Sequence, residues 1–172
     1  MKNELISEIK KLQGFVLGIG LDDTLQDAIY ENENIHKCDL MENMQRGKGS
    51  SAKGFTKSIS IYQLKKKYKK NKIDFIICNL EDIDIYMKYF LRDGTYIVKQ
   101  KIYLYGPLSD TEKEALQERL QRYDFCITYK QKKNQSLFIL EKKECHYLKN
   151  YLYFVQDSIS SYLDKISSIL ER

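Results

Sequence analysis

No apolar run in the chain approaches the roughly 20 residues that a membrane-spanning helix needs. The longest are of the order of IDFIICNL, Ile73 to Leu80. No membrane association is therefore expected. The opening segment MKNELISEIKKLQG is too charged to act as a signal peptide, so the expected location is the cytoplasm. No CxxC pair occurs among the four cysteines, Cys38, Cys78, Cys126 and Cys145, and two of them lie inside apolar strand-like runs where a reduced thiol behaves as a small hydrophobe. That excludes a disulfide scaffold and a zinc site as expectations. The two histidines, His36 and His146, have no partner at ligand spacing and read as surface or boundary residues.

What the chain does contain is enough sequence for one sizeable core, at 172 residues, and a net charge of +5. Such a charge attracts polyanions weakly and names no partner.

Strands alternate with helices along most of the length. Leu5, Ile6, Ile9 and Leu12 fall at helical spacing and predict an amphipathic helix over residues 2–13, ahead of a strand at Phe15–Ile19. Asp22, Asp23 and Thr24 carry oxygens that can accept the free first-turn N–H groups of a helix reaching about Tyr30. A weaker strand is expected at Ile35–Leu40. Asn43–Lys57, rich in glycine, serine and lysine, reads as a loop, followed by a short strand at Ser58–Ile61 and a basic helix in YQLKKKYKK. IDFIICNL is the clearest buried strand. The next helix, EDIDIYMKYFLRDG, is expected to stop at Gly94, with TYIVKQKIYLYG as the following strand. Ser109 and Glu112 form a capping-box pattern before a helix in TEKEALQERLQRY. YDFCITYK and SLFILEKK then predict a hairpin that supplies an antiparallel edge.

The expected fold class is α/β: a Rossmann-like three-layer sandwich whose mostly parallel sheet ends in an antiparallel hairpin, with a long C-terminal helix appended. The division is 1–144 for the Rossmann-like domain and 145–172 for the helix.

FVLGIGLDD, a strand running into a glycine turn and a helix start, resembles the first motif of the class I S-adenosylmethionine-dependent methyltransferases, and the resemblance covers about residues 2–142. In that family the first strand ends in an acid followed by Gly-x-Gly. Here Gly18 stands where the acid is usual, Gly20 falls on the first glycine and Asp22 on the second. The resemblance implies S-adenosylmethionine as cofactor, with Gly18, Gly20 and Asp22 at its turn. Asp39, nineteen residues beyond Gly20, stands near the interval at which such sites place an acid on ribose hydroxyls, and Glu42 is the other candidate. Asn79 corresponds to the residue that orients the methyl acceptor in amino-methyltransferases, although NLED lacks the Pro-Pro-aromatic that follows it there. Two carboxylates at a helix start repel a pyrophosphate, which argues against a dinucleotide site.

Three other patterns yield to plainer readings. GLDDTL is similar to the phosphatase motif of the haloacid-dehalogenase type, but its nucleophilic aspartate would fall on Gly20. RGKGSSAKG lacks the spacing of a phosphate loop. LKKKYKKNK, with six lysines around Tyr68, reads as a solvated helix face; the alternative is a nucleic-acid contact in which a base stacks on the tyrosine ring.

In the last segment Leu148, Leu152, Val155, Ile159, Tyr162, Ile166 and Ile169 alternate at spacings of four and three, drawing one apolar seam down a helix. Such a seam needs a cover, either its own domain or a protein partner, including the equivalent helix of a second copy in a coiled-coil dimer; Tyr162 and the flanking Tyr151, Tyr153 and Phe154 argue for docking onto a protein surface. Two functions follow. One is a methyltransferase-like pseudoenzyme whose S-adenosylmethionine site is weakened or lost and which serves as a binding or assembly module. The other is an active methyltransferase, with nucleic acid among its substrates.

Overall fold

The computed structural model describes residues 1–41, 64–83, 87–123, 125–142, 152–156 and 158–159. Its strands are β1 (Phe15–Ile19), β2 (Lys37–Met41), β3 (Ile73–Asn79), β4 (Val98–Pro107), β5 (Phe125–Lys132) and β6 (Gln135–Lys142). The helices are α1 (Lys2–Ile9), α2 (Asp23–Tyr30), α3 (Leu64–Lys67), α4 (Leu80–Ile83), α5 (Met87–Ile97) and α6 (Asp110–Gln121). The six strands form one sheet in the order β2-β1-β3-β4-β6-β5. All run parallel except β6, which is antiparallel to both β4 and β5.

Helices cover both faces because the strands are apolar on both. Every residue of β1 is buried. Phe15, Leu17 and Ile19 point to the face packed by α3, α4, α5 and α6, where Leu64, Ile83, Phe90 and Leu120 are fully buried. Val16 points the other way, into a second cluster with Leu5 and Ile9 of α1 and Leu25 and Ile29 of α2. The result is the expected three-layer sandwich.

One helix boundary is corrected. Gly94 does not end its helix: α5 continues to Ile97 and β4 starts at Val98. Gly94 is buried, and the Thr95 hydroxyl donates to the Arg92 carbonyl at 2.9 Å, so the turn around the glycine is held by its neighbours. The hairpin supplies the antiparallel edge, with β6 paired to β4 and β5 outermost. The burial patterns account for this. In β6, Leu137, Phe138 and Leu140 are all fully buried, as a central strand requires, whereas β5 is largely exposed beyond Phe125.

Of the long helix expected over 145–172, residues 152–156 and 158–159 are helical. The expected strand at Ser58–Ile61 and the loop at Asn43–Lys57 lie outside the described residues, as do Glu42 and the rest of the terminal segment. Tyr153 and Phe154 dock on the domain: the Tyr153 ring centroid is 6.1 Å from that of Tyr123, and Phe154 is 5.2 Å from Tyr89. The Arg92 guanidinium lies 4.5 Å over the Phe154 ring while its Nε donates to the buried Asp93 carboxylate at 2.6 Å. The seam residues Leu152 and Ile159 are exposed.

Candidate functional site

The connection from β1 leads outward to β2 on one side, while β3 and β4 lie on the other. Their carboxyl ends therefore diverge around β1, where open α/β sheets form a crevice. Gly20 turns the chain there with φ of +63°, a left-handed conformation that glycine adopts without strain. Its N–H donates to the Met41 carbonyl at 3.0 Å and its carbonyl accepts from the Tyr105 hydroxyl at 3.4 Å. Tyr105 thus reaches from β4 across the end of β3 to the turn.

Gly18 sits in β1, two residues earlier. A Cβ built on it would lie 2.6 Å from Leu21 Cδ1 and 2.7 Å from Leu40 Cδ2. The space above this glycine is already filled by two leucines.

Asp22 is the N-cap of α2, its Oδ1 accepting from the Leu25 N–H at 3.1 Å and from Lys2 Nζ at 3.0 Å. This is the expected capping role, with an ion pair from α1 added. Both partners are about half exposed, so the pair contributes little beyond the cap.

Asp39 lies two residues short of the end of β2, in register with Leu17, or about 7 Å back from Met41 at the usual rise of a strand. Only 6% of it is exposed. The Tyr68 hydroxyl donates to its Oδ2 at 2.7 Å and Lys67 Nζ stands 3.4 Å from the same oxygen. Burial, and then the bond to Asp39, push the Tyr68 phenol above its ordinary value. Burial, and then the Asp39 charge, raise the Cys38 thiol to about 12, so it stays protonated. The acid is a buried anchor that ties the α3 segment to β2.

Asn79 ends β3 at the carboxyl edge, where its Oδ1 accepts from the Glu81 N–H at 3.2 Å. Beside it opens a cavity of about 880 Å³, lined by Leu80 and Glu81 after β3, by Pro107, Leu108 and Ser109 after β4, and by Gln131 and Asn134 near the hairpin turn. Asn79 does not itself line this cavity. Gly18, Gly20 and Asp22 are thus brought together at one end of β1, Asn79 stands at the same edge of the sheet, and Asp39 lies further back within its strand.

Tyr105 was not marked by any sequence motif, Tyr68 was marked only within its lysine-rich segment, and of the cavity residues Ser109 was marked only as a helix cap. The alternation in YLYGP at the end of β4 does carry a signal, because it puts Tyr103 and Tyr105 on one face, with Tyr105 in register with Asn79. Among the described residues no group of three or more His, Cys, Asp or Glu could hold a metal ion.

No family model matches the sequence, and no curated protein does. Solved structures do match. A SAM dependent methyltransferase from Archaeoglobus fulgidus aligns with a TM-score of 0.59 at 12% identity, over 81% of this chain and 90% of that one. A ribosomal protein L11 methylase from Lactobacillus delbrueckii subsp. bulgaricus aligns with a TM-score of 0.59 at 11% identity, over 81% of this chain and 75% of that one. A spermidine synthase from Thermotoga maritima aligns with a TM-score of 0.53 at 14% identity, over 87% of this chain and 61% of that one. One fold thus serves more than one named activity, so the likeness speaks to architecture and not to reaction. On its strand order, its single reversed strand and these alignments, the chain has the Rossmann-like fold of the class I S-adenosylmethionine-dependent methyltransferases.

Proposed function

We propose that the protein is a methyltransferase-like domain whose S-adenosylmethionine site is weakened or lost, and that it works as a binding or assembly module. The observation that carries this reading is the engagement of Asp39. A ribose needs an accessible carboxylate, and this one is buried, set back from the strand end and held by Tyr68 and Lys67. The neighbouring turn supports the same reading. Leu21 and Leu40 fill the space over Gly18, and Asp22 stands with a carboxylate where bare backbone would admit an adenosyl group. On this reading the described residues offer the cofactor no fitting set, and no catalytic step is assigned to them.

For assembly, the support is the division of labour on the terminal helical residues. Tyr153 and Phe154 face the domain, while Leu152 and Ile159 of the apolar seam are 62% and 56% exposed. The seam is the surface for a protein partner or a second copy. Sedimentation of the full chain beside the Leu152→Asp/Ile159→Asp variant tests the second copy. A dimer that becomes a monomer in the variant supports it; two monomers at the same concentration remove it.

The competing reading is an active methyltransferase, with Gly18, Gly20 and either Asp39 or Glu42 at the cofactor and Asn79 at the methyl acceptor. It is favoured by the position of Asn79 at the carboxyl edge and by the cavity beside it. Calorimetric titration with S-adenosylhomocysteine separates the two. Absence of heat at millimolar ligand supports the impaired site; a saturable isotherm restores the enzyme, and its loss in Asp39→Ala or in Glu42→Ala names the acid.

A further inference from the structure

A second cleft, of about 290 Å³, opens among the amino-terminal parts of β1 and β2 and the segment that leads into β3. It is lined by Phe15, Lys37, Asp39, Lys67, Tyr68, Lys69 and Lys72. Four lysines and one aspartate thus line it, and the Asp39 carboxylate is already engaged by the Tyr68 hydroxyl and Lys67. Lys69 and Lys72 have no carboxylate partner among the described residues. We infer that this cleft binds the phosphates of a nucleic-acid backbone, at the end of the sheet opposite the crevice beside Gly20.

The lysines come from separate elements and are held in place. Lys37 opens β2, and its Nζ lies 4.3 Å over the ring of Phe15. Lys67 ends α3, with its Nζ 5.0 Å from the Tyr68 ring. Lys69 and Lys72 sit on the turn after α3, which is fixed at Asn71: its N–H donates to the Tyr96 carbonyl at 3.1 Å, and its side chain accepts from Lys142 Nζ at 2.6 Å. Like charges converging on one cleft repel each other unless an anion joins them, and an anion that does so gains from all of them.

The rings exclude base recognition. Phe15 and Tyr68 are each only 4% exposed and meet edge to face at 6.0 Å, so they form the floor of the cleft and offer no free face to a base. The stacking contact on Tyr68 raised by the sequence is thereby ruled out, while the phosphate contact survives without it. The cleft reads charge and not base identity. The charge density favours a polymer over a small phosphate: Lys65, Lys66 and Lys70 are exposed on the same segment, so that six lysines fall between Lys65 and Lys72, more than one small phosphate engages. The cleft does not depend on whether the crevice at the other end holds a cofactor.

Fluorescence anisotropy of the full chain with a labelled single-stranded DNA of mixed sequence tests this. Binding is expected to weaken with salt and to be indifferent to base order. Lys69→Gln/Lys72→Gln is expected to lose about tenfold in affinity at low salt and to flatten the log–log salt slope by about 1.4, from roughly 0.7 for each phosphate contact removed. The control Lys132→Gln/Lys133→Gln removes the same charge from the exposed hairpin turn and should bind as the parent does. Equal losses in both variants would reduce the effect to net charge and overturn the site. So would no binding at low salt, pyrophosphate binding as tightly as the oligonucleotide, or phosphatidylserine vesicles competing equally well. Unchanged melting temperatures of both variants show that folding is not what is being read.

Discussion

A single glycine at the crevice and a single tyrosine in the lysine cleft are each fixed by what packs against them. Gly18 is held by volume and not by backbone angle, because both atoms nearest its missing Cβ belong to buried leucines. Gly18→Ala should therefore destabilise the fold by about 1–3 kcal/mol through overpacking, read from the urea midpoint at unchanged m-value. Adding Leu21→Ala to that variant should recover part of the loss if the clash is with Leu21; a fully additive loss would mean it is not. Tyr68 makes a second prediction through pH. Its phenol is raised in the folded state above the ordinary value of 10.0, so the folded chain holds a proton that the unfolded chain gives up. The sign follows: the contribution is complete below pH about 10 and is lost as pH climbs from there towards the folded value. Unfolding free energy measured across the alkaline range should fall less steeply in Tyr68→Phe than in the parent, by about one proton. Identical slopes would show that Tyr68 is not the group. Asp39 also shows what a residue count leaves out. The interval from Gly20 counts residues along the chain and takes no account of where β2 begins; with β2 starting at Lys37, nineteen residues reach only its middle.

At the level of elements, what was legible is what short-range chemistry determines. Phe15–Ile19 is a strand with the expected bounds, because its residues are apolar on both faces. Asp22 caps α2, and Ser109 with Glu112 closes a capping box on α6, since both patterns depend only on neighbours in sequence. Hydrogen bonds from the Ser109 hydroxyl and backbone hold the exposed Glu112 carboxyl below its usual range. Gly94 was misjudged because its stop signal is also local, while the packing of Phe90 and Ile97 in the core continues the helix through it. The order of β5 and β6 lay in the burial contrast between SLFIL and CITYK, a signal that a hairpin pattern alone does not use. Asp22 supplies the prediction at this scale. Asp22→Ala should cost about 1 kcal/mol in chemical denaturation, and Asp22→Asn should restore most of it, since a cap needs an oxygen and not a charge. Equal losses in both variants would move the weight to the ion pair with Lys2.

Across the whole molecule, two ends of one sheet carry different chemistry. The carboxyl ends present a closed glycine turn, a capped helix and a cavity beside the hairpin. The amino-terminal side presents a lysine cleft over a closed aromatic floor. The alternation of strands and helices made the layers readable in advance, whereas neither cavity was, because each is lined by residues brought together from distant parts of the chain. The proposed function stands on the crevice at Gly20 being closed to S-adenosylmethionine. Thermal unfolding of the full chain in millimolar S-adenosylmethionine tests this most directly, because a ligand at 100 times its dissociation constant adds about 2.7 kcal/mol to stability. The account predicts a melting temperature unmoved by the ligand. A concentration-dependent rise, abolished by Asp39→Ala, would contradict it.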